Sequence, residues 1–240
     1  MSEAPDNWPV PQKILVILAH PDDPEFFCGA TLARWAAAGH EIHYCLLTCG
    51  DKGGDENTTP VELCTDRRGE QERAAAVIGA RSVRFLEHED GYLVPGLELR
   101  KEVVRVIRQV QPGIVVTCDP TNLYPFTGYG LNHPDHRAAG QVVLDAVFPA
   151  AGNVHYFPDL LAEGLQPHSV KEIWISLPAT PTVVFDVTGA WETKLRALKE
   201  HKSQIGDPAK FEERMRSRHT EDSTPEKPRY EERFRVVRWR

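Results

Sequence analysis

Between residues 13 and 148, short apolar, β-branched runs alternate with longer stretches of helix-forming composition, and this alternation restricts the fold more than any other feature of the chain. KILVILA (13–19), EIHYCLLTC (41–49), SVRFLE (82–87) and GIVVTC (113–118) read as strands. ATLARWAAAG, ending at Gly39, VELCTDRRGEQERAAAVIGA (61–80), LELRKEVVRVIRQV (97–110) and PDHRAAGQVVLDAVF (134–148) read as helices. This succession predicts βαβ units and an α/β, Rossmann-like fold, a mostly parallel sheet with helices on both faces. Right-handed crossovers bring every strand-to-helix loop to one edge of such a sheet. The second half is less regular: KEIWISL (171–177) and TVVFDV (182–187) read as strands and WETKLRALKEHKSQ (191–204) as a helix. A charged, proline-containing excursion from Ser217 to Glu232 precedes a last strand, RFRVVRW. No repeat or linker interrupts the pattern, so a single domain is expected over 13–240, behind a polar segment, 1–12.

A chain of 240 residues can bury roughly 70% or more of its unfolded surface without staples. Its net charge of −7 argues against a broad footprint for nucleic acid or an anionic membrane, while leaving room for local basic pockets. The first apolar run, Ile14 to Ala19, is too short for a signal peptide's core or a membrane span, and a cytoplasmic protein is expected. The five cysteines include no CxxC pair, which suggests neither a disulfide framework nor a cysteine-built zinc site; most of them are expected as small buried apolar residues.

Two loops carry chemistry. The first packs His20, Asp22, Asp23 and Glu25 into six residues after the first strand. A solvated acidic turn capping the next helix is the plain reading. The sharper reading is a metal site, with an imidazole and a carboxylate converging on one cation and the intervening carboxylate free to act on water. The second loop, Asn132-His133-Pro134-Asp135-His136, also follows a strand and opens a helix, and its i, i+3 histidines share a helix face. Both loops belong at the ligand-binding edge of an open α/β sheet, where their imidazoles and carboxylates together suit zinc.

ILVILAHPDDPEFFCGATLARW and NHPDHRAAG resemble the AHPDDxE and HPDH motifs of the LmbE-like (PIG-L) family of zinc-dependent N-acetyl-sugar deacetylases. Weaker echoes occur in RRGEQERAAAVIGA, HEDGYL, WETKLRALKEHKSQ and YEERFRVV. The resemblance implies that His20, Asp23 and His136 ligate Zn2+, with Asp22 as general base. It further implies that His133 polarises the acetyl carbonyl or stabilises its oxyanion, and that Asp135 orients that imidazole. Arg67, with Arg68 as a competing register, and Asp90 would contact substrate. Three protein ligands leave one position open on zinc, and Fe2+ or Co2+ would tolerate the same set. The implied catalytic core is about 13–150, and 151–240 completes the sheet and shapes the pocket. The implied substrate is a small N-acetylglucosamine-type sugar or conjugate, with no nucleic acid or membrane partner. Homo-oligomers are common among such relatives. An amidase acting on a larger sugar or thiol conjugate, or a zinc- or sugar-binding module without turnover, are the alternatives.

Several residues have weaker claims. Thr48 to Gly54 is glycine-rich, which suits either close approach to a sugar or phosphate or a flexible turn. Gly29-Ala30 replaces the paired glycines of many relatives. His201 matches a family pattern near the active site, but its charged helix favours a surface position. Trp191 and Leu195 are expected in the core. Tyr124, Phe126 and Tyr129 suit an aromatic lid or a packed loop, and Leu131 stands where relatives carry a tyrosine.

Overall fold

The computed structural model describes residues 6–125, 130–224 and 226–239. Seven strands form one sheet: β1 (Lys13–Leu18), β2 (Glu41–Thr48), β3 (Ser82–His88), β4 (Ile114–Cys118), β5 (Glu172–Ser176), β6 (Val183–Asp186) and β7 (Glu231–Arg238). Their order is β3-β2-β1-β4-β5-β7-β6. β1 to β5 are parallel throughout, and β7 runs antiparallel to both β5 and β6. The sheet is therefore mostly parallel and doubly wound, as the alternation of elements predicts. β1 and β4 lie side by side at its centre, and both are apolar and buried nearly end to end, as strands covered on both faces must be. β3, at the edge, alternates and is more polar.

The helices are α1 (Asp23–Ala37), α2 (Pro60–Ile78), α3 (Leu97–Val110), α4 (Pro134–Asp145), α5 (Asp159–Ala162), α6 (Trp191–Leu198), α7 (Lys202–Ile205) and α8 (Pro208–Arg216). α2 starts with a Thr59/Glu62 capping box and stops at Gly79, whose φ of +91° suits only glycine readily. α4 ends earlier than predicted, at Asp145, and passes into a wide turn over Ala146–Ala151. Gly140 on α4 permits a close approach to β4, since a Cβ there would sit 2.3 Å from the Cys118 carbonyl oxygen. Trp191 and Leu195 are buried in the core, as expected.

Three departures matter for the site. The helix expected over 191–204 breaks after Leu198 and resumes at Lys202, because the chain turns inward between them. Tyr230 and Glu232, assigned to an exposed excursion, are buried against the body of the protein. Cys49 and Cys64 form a disulfide that ties the loop after β2 to α2, whereas Cys28, Cys45 and Cys118 are free and buried as expected. Odd count and missing CxxC could not reveal a pairing made by tertiary approach.

Candidate active site

The chain leaves β1 for β2 and leaves β4 for β5, in opposite halves of the sheet, and this divergence opens a crevice at the carboxyl ends of β1 and β4. The loop after β1 delivers His20, Asp22 and Asp23, and the start of α4 delivers His133, Asp135 and His136. His20 Nδ1 lies 3.2 Å from His136 Nε2. Asp23 Oδ1 lies 3.1 Å from His136 Nε2, while its other oxygen, Oδ2, lies 3.6 Å from His20 Nδ1 and accepts the His20 amide at 2.9 Å. Donors bound tetrahedrally at about 2.0–2.1 Å stand about 3.3 Å apart, so His20 Nδ1, His136 Nε2 and Asp23 Oδ1 include two edges, 3.2 and 3.1 Å, with the spacing of groups that share a small divalent cation. The tautomers fit as well. His20 turns Nε2 towards Asp90 and Asp135 at 3.1 and 3.3 Å, and His136 turns Nδ1 to Asn132 Oδ1 at 2.9 Å. Each imidazole can thus give its N–H to an acceptor behind it and keep the other nitrogen for a cation.

His20, Asp90, His133 and Asp135 also lie close enough together to hold an ion. The two carboxylates are already engaged: Asp135 accepts the Gly91 and Leu93 amides at 2.7 and 3.2 Å, and Asp90 accepts the Lys52 amide at 3.2 Å. Both stand on the Nε2 side of the His20 ring. Burial opposes ionisation of Asp90, but the hydrogen bond from His20 wins and brings its carboxyl down to about 2. Asp135 is lowered in the same way. Burial lowers the affinity of His20 for a proton, yet Asp135, Asp23 and Asp90 together hold it well above the usual imidazole range. Such surroundings favour a cation. Asp23 is likewise held down by His136 and His20 against the burial that would raise it.

Asp22 occupies the N-cap position of α1, but its side chain makes no cap bond. It faces Arg67, whose Nη2 is 3.3 Å from Asp22 Oδ2. Burial pushes the Asp22 carboxyl up to about 6, with Arg67 pulling against it. The helix turns Arg67 towards the cleft: Arg67 is buried and reaches Pro21 O and Gly50 O at 2.7 and 2.8 Å. Arg68 turns away to pair with Glu87 over the Phe85 ring. Gly50, at φ +69°, makes room for that guanidinium, as a Cβ there would fall 2.2 Å from Arg67 Nη1. The glycine at position 50 thus admits an arginine, while Gly53 of the same loop lines the cleft.

The structure corrects the link between Asp135 and His133. The Asp135 carboxylate points at the 91–93 backbone and His20, and it is the Asp135 amide that donates to His133 Nδ1 at 3.2 Å. This follows from the helix start, where His133 accepts an otherwise orphaned N–H as the N-cap of α4. With Nδ1 as acceptor, the neutral ring carries its proton on Nε2. Burial, reinforced by His20 and His136, keeps the His133 pKa below the ordinary value.

A cleft of about 730 Å³ opens over these groups, within the range of small-molecule sites. His20, Asp22, Asp23, Arg67, Asp90, His133 and His136 all line it, with Phe26 and Phe27 on one wall and Arg214 and Arg218 at its rim. Tyr124 is exposed and not on this wall, Leu131 is exposed, and Phe126 and Tyr129 lie outside the described residues. His201 is not at the surface: it is completely buried, with Nε2 3.1 Å from a completely buried Glu25. Burial would lower its pKa, but Glu25 raises it. Glu25, Gln71, Asn132, Lys194 and Glu232 also support the site and had no assigned role. A signal for Gln71 existed, since Leu63, Arg67, Gln71, Ala74 and Ile78 mark one face of α2, and two of them are polar.

Residues 15–147 match the family described as PIG-L, GlcNAc-PI de-N-acetylase. The chain belongs to this family. It is 36% identical over 195 residues to diacetylchitobiose deacetylase of Thermococcus kodakarensis, covering 81% of this chain and 70% of that one. It is 30% identical over 251 residues to 1D-myo-inositol 2-acetamido-2-deoxy-alpha-D-glucopyranoside deacetylase of Rhodococcus opacus, covering 81% and 82%. Among solved structures, N,N'-diacetylchitobiose deacetylase from Pyrococcus horikoshii superposes with a TM-score of 0.84 at 30% identity, covering 94% of this chain and 84% of that one. The family's mostly parallel fold is the one described above. No helix among the described residues is long and apolar enough to cross a membrane.

Proposed function

We propose that this chain is a metal-dependent hydrolase that removes the acetyl group from an N-acetylglucosamine-type sugar or conjugate, giving acetate and a free amine. The observation that carries the reading is the convergence of His20 Nδ1, the Asp23 carboxylate and His136 Nε2 beside Asp22 and His133 in one cleft. Family membership and the names of the relatives, deacetylases of acetamido sugars, support the substrate class. Zn2+ held by His20, Asp23 and His136 would polarise the acetamide carbonyl and acidify water towards a pKa of about 7, and Fe2+ or Co2+ could serve in its place.

The protein groups divide the remaining work. Asp22 accepts the proton of the attacking water and returns it to the amine nitrogen as the C–N bond breaks. Arg67 keeps that carboxylate ionised at 3.3 Å and holds its loop through Pro21 O. His133 directs Nε2–H at the oxygen where negative charge develops, its ring fixed by the Asp135 amide. Asp135 and Asp90 hold His20, and Asp90 and Arg67 also present their cleft-facing edges to the sugar.

The test is acetate release from a panel of N-acetylglucosaminyl conjugates, with and without a chelator. Asp22→Asn should lose on the order of 10²–10⁴ in kcat while retaining its metal. An Asp22→Asn enzyme of unchanged rate overturns the mechanism. Tight sugar binding without acetate from any conjugate would make the protein a binding module, and release of a bulkier acyl group would make it an amidase of larger conjugates.

A further inference from the structure

Asp22 adopts a φ of 84°, in the left-handed region that residues other than glycine seldom occupy, aspartate less seldom than most. Something must hold it there. The Pro21–Asp22 peptide is gripped at both ends by one turn of α2: Arg67 Nη2 donates to Pro21 O at 2.7 Å, and Gln71 Oε1 accepts the Asp22 amide at 2.8 Å. Residues 67 and 71 are neighbours on one helix face. Between them they fix the plane of that peptide.

An amide side chain can face the wrong way, and Gln71 is held by what lies behind it. Its Nε2 donates to both oxygens of Glu25, at 3.1 and 3.0 Å. With both Glu25 oxygens accepting, the amide's Nε2 faces inward and its Oε1 faces Asp22. Glu25 takes its remaining bond from His201 Nε2 at 3.1 Å, and all three side chains are completely buried. The segment carrying His201 is docked on the same helix, where Ser203 N and Oγ donate to Glu70 at 2.8 and 2.7 Å.

We propose that Gln71, oriented by Glu25 and His201, is a positioning residue that clamps the Pro21–Asp22 peptide and so sets the direction of the Asp22 carboxylate. The three residues are sealed from the cleft and act only through Asp22. This role rests on the reading of Asp22 as the base.

The experiment uses the zinc-loaded enzyme and Gln71→Met, which keeps volume and removes both hydrogen bonds. kcat should fall about 10–100-fold, the cost of a misplaced catalytic group, with KM and zinc affinity within about twofold of wild type. The exchanged pair Glu25→Gln/Gln71→Glu restores the order of donor and acceptor: the amide moved to position 25 donates to the carboxylate moved to position 71, and that carboxylate accepts the Asp22 amide. It should regain most of the kcat that Gln71→Glu alone loses, which also covers the case in which Gln71→Met does not fold. In 15N-labelled protein, the Asp22 amide should exchange with solvent at least about tenfold faster in Gln71→Met, as a lost acceptor requires. Unchanged kcat and exchange, or a fall in kcat matched by lost zinc and lower Tm, overturns the clamp. If the wild type releases no acetate from any acetamido sugar, the functional reading fails, while amide exchange still decides whether Gln71 holds the peptide.

Discussion

Lys194→Met should destabilise the protein far more than a single lysine ordinarily would. Lys194 Nζ lies 2.7 Å from Glu232 Oε1 and 2.9 Å from Phe26 O, and both charged side chains are buried. The pair plugs a break in α1: Cys28 leaves helical geometry at φ −149° and ψ 19°, and the amides of Ala30 and Thr31 turn to Glu232 at 3.1 and 2.8 Å. Removing the ammonium leaves a buried carboxylate with two amide donors and no counterion, a loss of about 3–5 kcal/mol. For a chain of this size each kcal/mol lowers Tm by about 2–4 °C, so the midpoint should drop by about 6–20 °C. Removing both charges in Lys194→Met/Glu232→Met should not restore wild-type stability, because two amides are then orphaned at about 1–3 kcal/mol each. Urea unfolding followed by tryptophan fluorescence, with calorimetry alongside, measures both variants. A Lys194→Met protein within about 1 kcal/mol of wild type, where an exposed pair would leave it, refutes the reasoning, as does full recovery in the double variant.

Asp22, raised to about 6 by burial, must be ionised to accept a proton, so kcat/KM should fall as pH drops below an acid limb. A dication beside it moves that limb down, and a limb above pH 7 in a pH–rate profile would contradict the assignment. Asn132→Ala removes the acceptor behind His136 and should weaken zinc binding about 10–100-fold in a competition titration; unchanged affinity would mean that the His136 tautomer needs no support. Cys49→Ala/Cys64→Ala opens a link between residues 15 apart and should cost about 3 kcal/mol in chemical unfolding, with the same loss on reducing the wild type; equal stability of oxidised and reduced protein would count against the disulfide.

The first four strands and the helices between them were legible because each is built on a local period. KILVIL can be covered on both faces only at the centre of a sheet, and α3 was bounded at Leu97 and Val110 by its own apolar stripe. The cluster of imidazoles and carboxylates was legible for a related reason: each loop carries its share within a few residues of a strand end, and the topology brings strand ends together. His201 was misjudged because its neighbours Lys199, Glu200 and Lys202 describe a solvated helix, while the break after Leu198 aims the imidazole at Glu25. The Asp135 link was misjudged because adjacency to His133 says nothing of which Asp135 atom makes the bond. Echoes of the family in the segments holding Gln71, Lys194, His201 and Glu232 marked places without marking tasks.

By itself the sequence determined the alternating elements, the edge of the sheet where ligands bind, and the residue types able to hold a divalent cation. Only the tertiary structure decided which polar groups are paired beneath that edge: Glu25 with His201, 176 residues away, and the α1 break with Glu232, 201 residues from Thr31. The physical reason is that hydrophobic period reports which face of an element is covered, and burial of a polar side chain becomes tolerable only when a partner arrives from elsewhere in the chain.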